Sequence, residues 1–157
     1  MEIRIHEAEQ RDIPEVAEIM STSEAWKCFG IDYGWAFKTL TTMTDALYVA
    51  VSPETGEVVG FGSVRRDGVG NIGAYTRLFG VKKKYLRRGI GRQLCDFIWD
   101  IAAKTSPNLF LICSENNKPG LEFYEKMGFT KAGILTGLVI PGQNEILLRK
   151  TSGPIKP

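Results

Sequence analysis

The residues best suited to chemistry form a basic, glycine-containing segment near the middle of the chain. Arg87 and Arg88 precede Gly89 and Gly91, and three lysines lie just upstream at positions 82–84. Glycines at alternate positions leave the backbone uncrowded, so that successive N–H groups can converge on one anion. A helix starting here would add its unpaired N–H groups and the positive end of its dipole. The segment therefore predicts a pyrophosphate site that needs no metal ion.

The glycine-rich segments allow three alternatives to a pyrophosphate site without a metal ion. A helix start with a solvated basic loop explains the same residues without any ligand. A P-loop requires Gly-Lys-Ser/Thr after the glycine turn, whereas Arg92 and Gln93 follow Gly91. The stretch from Gly68 to Gly73 matches GxGxxG, but a strand pattern follows it where a dinucleotide site needs a helix. We interpret that stretch as a hairpin turn.

A second set of residues with chemical potential begins at Asn117. Tyr124 follows it by seven residues, about two helical turns, so a helix would present both on one face. A phenol with an ordinary pKa near 10 keeps its proton at neutral pH and can donate it. Taken alone, Tyr124 is better explained as a core aromatic whose hydroxyl meets water.

The elements that must hold these residues follow from hydrophobic periodicity. Alternation and short apolar runs predict strands, and apolar residues at 3.6-residue spacing predict helices. The predicted strands are Glu2–Ala8, Ala46–Val51, Glu57–Val64, Asn71–Val81, Leu109–Cys113, Phe129–Val139 and Gln143–Lys150, and the predicted helices start at Asp12, Tyr33, Arg88 and Lys118, with an irregular stretch over Ser21–Tyr33. This order predicts an α/β fold with three layers (α/β/α) and a mixed, mostly antiparallel sheet.

Composition limits the function classes. A chain of 157 residues with 43% hydrophobic and 24% charged residues fits one globular domain, residues 1–157. A net charge of +2 without long basic runs predicts neither nucleic-acid nor membrane partners. Three cysteines and one histidine at unrelated spacings predict no metal site. Since no signal-peptide or transmembrane pattern is found, we expect a cytoplasmic location.

The segment from Leu78 to Phe129 resembles the GNAT superfamily of acetyl-coenzyme A-dependent N-acetyltransferases. Their pyrophosphate signature, Q/R-x-x-G-x-G/A, corresponds to residues 86–91, with both glycines matched and Leu86 departing from the pattern. Their second pattern, N-x-x-A-x-x-x-Y-x-x-x-G-F, corresponds to residues 117–129, with Gly120 in place of alanine. The two motifs occur in the family's order, which makes the resemblance specific.

The resemblance implies a fold whose sheet is splayed at its centre, acetyl-CoA as co-substrate, and acetyl transfer to a primary amine, with a small cationic molecule as the expected acceptor. It implies these coenzyme-binding residues: Phe79, Gly80 and Val81 along the pantetheine arm, Arg87, Arg88, Gly89, Ile90, Gly91 and Arg92 around the pyrophosphate, and Asn117 and Tyr124. It also implies that Tyr124 is the catalytic proton donor to the leaving thiolate. The resemblance leaves open whether the protein forms a homodimer.

The proton acceptor for the amine is not evident from the sequence. Residues 71–79, where many relatives carry a glutamate, contain no carboxylate. Relatives that acetylate ribosomal-protein N-termini carry a glutamate at the position of Ile112, so protein N-terminal acetylation is disfavoured. A water relay or one of four carboxylates must act instead: Glu24, Asp32, Glu115 or Glu145.

The acceptor pocket is expected in the aromatic segment from Ser23 to Trp35. Trp26 and Tyr33, with nearby acids, could bind a cationic amine. Packing of these aromatic residues on the sheet is the simpler alternative. Two further functions stay open: a non-catalytic acyl-CoA-binding sensor, suggested by the missing strand carboxylate, and a protein or peptide N-acetyltransferase.

Overall fold

A computed structural model describes residues 1–156. The chain forms two compact units, each built from two segments. The first unit contains Met1–Ser63 and Leu78–Ile98, and the second contains Val64–Arg77 and the chain from Trp99 onward. The expectation of a single domain over residues 1–157 stays a prediction.

Within the described residues there are eight strands and five α-helices. In chain order they are β1 (Arg4–Glu7), α1 (Ile13–Thr22), α2 (Glu24–Lys27), α3 (Tyr33–Thr42), β2 (Ala46–Val51), β3 (Val58–Val64), β4 (Ala74–Thr76), β5 (Phe79–Val81), α4 (Ile90–Ala103), β6 (Asn108–Ser114), α5 (Lys118–Lys126), β7 (Thr130–Thr136) and β8 (Asn144–Thr151). Short 3₁₀ turns occupy Gln10–Asp12 and Lys83–Tyr85.

The sheet of the first unit has the strand order β1-β2-β3-β5. Every residue of β3 is buried, as its near-continuous apolar sequence predicts. Two glycines in β3 let the start of α4 approach the strand closely. A Cβ on Gly60 would lie 2.9 Å from Leu94 Cδ1, and one on Gly62 would lie 2.3 Å from Ile98 Cδ1. The first turns of α4 therefore pack directly on the backbone of β3.

The sheet of the second unit has the order β4-β6-β8-β7, with β4 and β6 parallel and the other pairs antiparallel. Side chains at alternate positions of β6 and β8 form a buried apolar face that includes Leu111, Cys113, Ile146 and Leu148. Helix α5 ends before Gly128, whose φ of 94° is the left-handed conformation common at helix C-termini. Gly128 thereby turns the chain into β7.

The α/β class and the mixed strand pairing are confirmed, as are the β2–β3 hairpin, the helices and the turn at residues 68–73. The prediction of one strand over residues 71–81 is wrong, because β4 and β5 belong to different sheets. The break occurs at Leu78, whose N–H donates to the Ser63 side-chain oxygen over 2.9 Å. The irregular stretch after residue 21 also contains the short helix α2. No helix in the described chain has the length and apolarity needed to cross a membrane.

Candidate active site

The turn before α4 has the backbone geometry of an anion site. The φ angle is 63° at Arg87 and 81° at Gly89, while Arg88 between them stays outside the left-handed region. Such alternation directs successive N–H groups towards one point and forms a nest for anions. Because α4 begins at Ile90, its unpaired N–H groups join the same site. This backbone geometry suits a pyrophosphate group, and the pyrophosphate site itself stays a prediction.

A cluster around Glu57 fixes the base of this turn. Tyr85, which is 9% exposed, donates its hydroxyl to Glu57 Oε2 over 2.6 Å. Lys82 donates to Glu57 Oε1, and Lys84 lies 3.2 Å from the same oxygen. Lys84 Nζ and Arg88 Cζ lie 5.1 Å and 5.3 Å from the Tyr85 ring centroid, within cation–π range. Hydrogen bonds from Lys82 and then Tyr85 lower the pKa of Glu57 to about 2, so its carboxylate stays ionised.

Sequence reasoning did not single out Glu57. It lies 25 residues before Lys82, and no motif connects the two positions. The pairing of β3 with β5 brings them together, as the 2.8 Å hydrogen bond from Lys82 N to Val59 O shows. Only knowledge of that pairing could have revealed the cluster.

Strand β5 carries backbone groups suited to an extended ligand. Lys82 N bonds to β3, which makes residue 82 a hydrogen-bonded position of the antiparallel ladder. Hydrogen-bonded and non-hydrogen-bonded pairs alternate, so Val81 and Phe79 direct their N–H and C=O groups away from β3. Since β5 is last in the strand order, those groups point to the edge of this sheet. This arrangement suits the predicted pairing with a pantetheine arm.

In the second unit, Asn117 caps the N-terminus of α5. Its Oδ1 accepts a hydrogen bond from Gly120 N over 3.1 Å. A Cβ on Gly120 would lie only 2.5 Å from Asn117 Nδ2, closer than real Cβ atoms approach their neighbours. The glycine that replaces the family's alanine therefore leaves room for the Asn117 side chain to fold back over the helix end.

Tyr124 lies in the last turn of α5 and is half-buried. Its ring packs edge-on against Phe129 and Phe123, at centroid distances of 5.7 Å and 5.3 Å. Phe129 is 3% exposed and donates its backbone N–H to Tyr124 O over 3.0 Å. Tyr124 thus contacts Phe129, the last residue of the second motif. The Tyr124 ring is thus held by two aromatic neighbours, and a proton donor must be positioned in this way.

Comparison with known proteins identifies the family. The sequence model described as "Acetyltransferase (GNAT) domain" matches residues 44–131, more than half of the 157-residue chain. The chain belongs to the GNAT acetyltransferase family. The match includes the turn before α4, the Asn117 cap and Tyr124. The protein is accordingly an acetyl-CoA-dependent N-acetyltransferase, as the resemblance implied.

Three similar proteins illustrate the range of this GNAT enzyme's relatives. It is 28% identical over 130 residues to the peptidyl-lysine N-acetyltransferase YiaC of Escherichia coli (strain K12), covering 80% of this chain and 82% of the relative. The structure of Ard1 from Thermoplasma volcanium matches with a TM-score of 0.80 at 21% identity, covering 96% of this chain and 98% of that one. An aminoglycoside 6′-N-acetyltransferase complexed with coenzyme A matches with a TM-score of 0.76 at 16% identity, covering 96% and 98%. The two structural matches show the fold alone.

The four carboxylates considered as proton acceptors have different environments in this GNAT enzyme. Glu24 and Asp32 are exposed, and Asp32 Oδ1 caps α3 by accepting from Trp35 N over 2.8 Å. Glu115 is half-buried, and Glu145 is only 5% exposed. Glu145 is therefore the one among these four that is withdrawn from water.

The aromatic segment of the first unit contains two distinct groups. Trp26 stacks on the buried Phe61 with 5.7 Å between centroids, and it packs against the core formed by α1, β2 and β3. Its indole also lies 3.1 Å from where a Cβ on Gly80 would be. Tyr33, 44% exposed, stacks on the exposed Phe37 at 6.0 Å. Trp26 thus contributes to packing, whereas Tyr33 and Phe37 form an exposed aromatic pair.

The thiols and acids of the described residues do not assemble into a metal centre. Within residues 1–156, no group of three or more His, Cys, Asp or Glu side chains could hold a metal ion. The three cysteines are free thiols, with Cys28 exposed and Cys95 and Cys113 buried. Burial, together with the nearby charge of Glu145, raises the pKa of Cys113 to about 11.

Proposed function

We propose that this GNAT enzyme transfers the acetyl group of acetyl-CoA to a primary amine carried by a small cationic molecule. The observation that carries the coenzyme half of the proposal is the alternating backbone at Arg87 and Gly89, directly before α4. Backbone N–H groups and a helix N-terminus bind a diphosphate without a metal ion. The exposed guanidinium groups of Arg87 and Arg88 add positive charge around it.

The coenzyme-binding residues are proposed on the same grounds. The N–H groups from Arg87 to Arg92 bind the pyrophosphate, and residues 79–81 of β5 pair with the pantetheine arm as an added strand would. The outward direction of the Val81 backbone supports this pairing. Asn117 offers the pantetheine its Nδ2 group, because its Oδ1 is engaged in the helix cap.

The proposed chemistry uses two groups of the chain. The neutral amine attacks the thioester carbonyl, forming the new C–N bond and a tetrahedral oxyanion, which accepts a hydrogen bond from Val81 N–H. Collapse of this intermediate breaks the C–S bond. Tyr124 donates its phenolic proton to the departing thiolate, the nitrogen of the new amide gives up its surplus proton to solvent, and Tyr124 then recovers a proton from solvent.

The acceptor class rests on two independent observations. The exposed pair of Tyr33 and Phe37 offers aromatic faces to a cation. The name of the aminoglycoside 6′-N-acetyltransferase refers to an amine on a small cationic molecule, which supports the same class. A second candidate, acetylation of peptide lysines, is favoured by the similarity to the E. coli peptidyl-lysine enzyme. Both candidates present a primary aliphatic amine.

An acceptor panel tests this function. The protein is incubated with acetyl-CoA and aminoglycosides, polyamines, amino-acid amides or a lysine-containing peptide, and release of the free coenzyme thiol is followed. We expect release with small cationic amines. Release with the lysine peptide alone would establish the second candidate instead. If calorimetry shows acetyl-CoA binding but no amine elicits thiol release, the protein is a non-catalytic acyl-CoA sensor and the proposal is wrong.

A further inference from the structure

The reaction requires a proton acceptor in addition to the proton donor Tyr124. A primary aliphatic amine is an ammonium ion at neutral pH and cannot attack a thioester until it loses a proton. The acceptor must be a group that can bind a cation and take its proton. The need for this group rests on the proposed function.

Glu145 differs from the other carboxylates because it is buried without strong hydrogen-bond partners. Only 5% of the residue is exposed, so Glu145 has lost most of its contact with water. Its Oε2 accepts from Gln143 Nε2 over 3.4 Å, close to the outer limit of a hydrogen bond. An ionised carboxylate can accept about four hydrogen bonds. Glu145 therefore retains capacity for a cationic donor, and an ammonium ion would offset its lost hydration.

Strand pairing shows which residues surround Glu145. Ser114 of β6 lies directly opposite it across the β6–β8 pair, and Leu135 of β7 lies opposite on the other side. Directly paired residues point to the same face of a sheet. The next pair along that face is Ile112 with Leu147. The carboxylate thus has one hydroxyl, that of Ser114, and the apolar side chains of Leu135, Ile112 and Leu147 as its nearest neighbours in the pairing of this face.

Gln143 connects the two polar side chains of this face. Its Nε2 donates to Ser114 Oγ over 2.8 Å and, over 3.4 Å, to Glu145 Oε2. The Nε2 group supplies donors only, so through it Gln143 orients Ser114 and Glu145 without accepting a proton. The set of Ser114, Gln143 and Glu145 is therefore arranged around one carboxylate, the only ionisable side chain of the three.

We propose that Glu145 binds the acceptor ammonium and takes its proton. The N–H bond breaks, the proton passes to a carboxylate oxygen of Glu145, and the freed electron pair of the neutral amine forms the C–N bond to the acetyl carbon. Protonated Glu145 then releases its proton to solvent, which restores the carboxylate. Gln143 and Ser114 act as positioning residues.

Other titratable groups near Glu145 must be considered in any measurement against pH. On β6 and the residues after it these are Cys113 and Glu115, and Glu115 Oε1 accepts from Asn144 N over 3.3 Å. On β7 the residues facing the start of β8, Ile134 to Thr136, carry no titratable side chain. The pKa of Cys113 is raised to about 11. The Cys113 thiol therefore stays mostly protonated from pH 6 to pH 10.

The test measures kcat of the wild type and of Glu145→Gln from pH 6 to pH 10, with an amine that the wild type acetylates. We expect kcat of the variant at pH 7 to fall by roughly 10²-fold or more, the usual contribution of one acid–base group. The deficit should shrink by about tenfold per pH unit as more of the amine becomes neutral on its own. The Kd for acetyl-CoA should not change. Glu125→Gln, an exposed carboxylate of the same unit, serves as the matched control and should match wild type.

Several results would overturn the inference. A deficit that is constant across pH would mean that Glu145 is structural, and a normal Glu145→Gln enzyme beside an inactive Glu115→Gln enzyme would assign the role to Glu115. If Glu145→Gln does not fold, Glu145→Asp decides. The shorter side chain should lower kcat several-fold at unchanged acetyl-CoA Kd, and an unaltered kcat refutes the assignment. An inactive wild type refutes the proposed function itself, whereas an active wild type with a normal Glu145 variant refutes only this inference.

Discussion

Replacing Glu57 with glutamine should destabilise the protein in a pH-dependent way. The carboxylate accepts from Lys82 and Tyr85 and pairs with Lys84. Its pKa falls from 4.5 to about 2 in the folded protein. At 1.36 kcal/mol per pKa unit this difference corresponds to at most about 3 kcal/mol. Because the side chain is 20% exposed, screening reduces that limit, and we expect a loss of about 1–2 kcal/mol at pH 7.

The sign of the pH dependence follows from the lowered pKa of Glu57. A carboxylate whose pKa is lower in the folded state stabilises the fold fully above its unfolded pKa of 4.5 and loses this contribution as the pH falls through 2. Wild type and Glu57→Gln should therefore differ most at pH 5–7. The difference should decline below pH 4.5 and approach zero near pH 2.

Urea unfolding at several pH values measures this effect. For a slope of about 1–3 kcal/mol per molar urea, the expected loss lowers the midpoint of Glu57→Gln by roughly 0.3–2 M at pH 7. Glu54→Gln is the matched control, since Glu54 lies exposed in the same β2–β3 turn. A midpoint difference that stays constant from pH 7 to pH 2.5 would show that the cluster contributes through packing, and the electrostatic reasoning would be wrong.

Two further predictions concern the proposed site, and a third concerns the reactivity of the cysteines. Gly89→Val should weaken acetyl-CoA binding by more than tenfold in calorimetry, because a φ of 81° strains a β-branched residue; unchanged affinity in a folded variant would remove the turn from the site. Tyr124→Phe should keep the coenzyme affinity and lower turnover by roughly 10²–10⁴-fold in the thiol-release assay, and a full-rate variant would make water the acid. Cys28 should react quickly with iodoacetamide at pH 8, while Cys113, with its pKa raised to about 11, should stay unlabelled in peptide mass spectra unless the protein unfolds.

Local patterns allowed much of the fold to be predicted from the sequence. The predicted strand Leu109–Cys113 lies within β6, and the predicted helix from Arg88 coincides with α4 to within two residues at its start. The turn before α4 was predictable because alternate glycines and a helix start restrict the backbone by themselves. These features depend on neighbours along the chain, which a sequence displays directly.

Features that depend on distant residues were not predictable. The strand predicted over residues 71–81 breaks because Leu78 bonds to the side chain of Ser63, and no local signal records that partner. Glu57 gains its role from the pairing of β3 with β5. Trp26 could be assigned to packing only once Phe61 was known to lie beneath it. In each case the deciding contact joins parts of the chain that are far apart in sequence.

The backbone of Arg87 implies a trade-off between stability and ligand charge. It is the one described non-glycine residue with a positive φ, a conformation that costs an L-residue on the order of 1–2 kcal/mol. An engineer selecting residues for thermal stability would choose glycine at this position. This substitution would also remove a guanidinium group beside the proposed anion site. Arg87→Gly is therefore expected to raise the melting temperature and to weaken coenzyme binding.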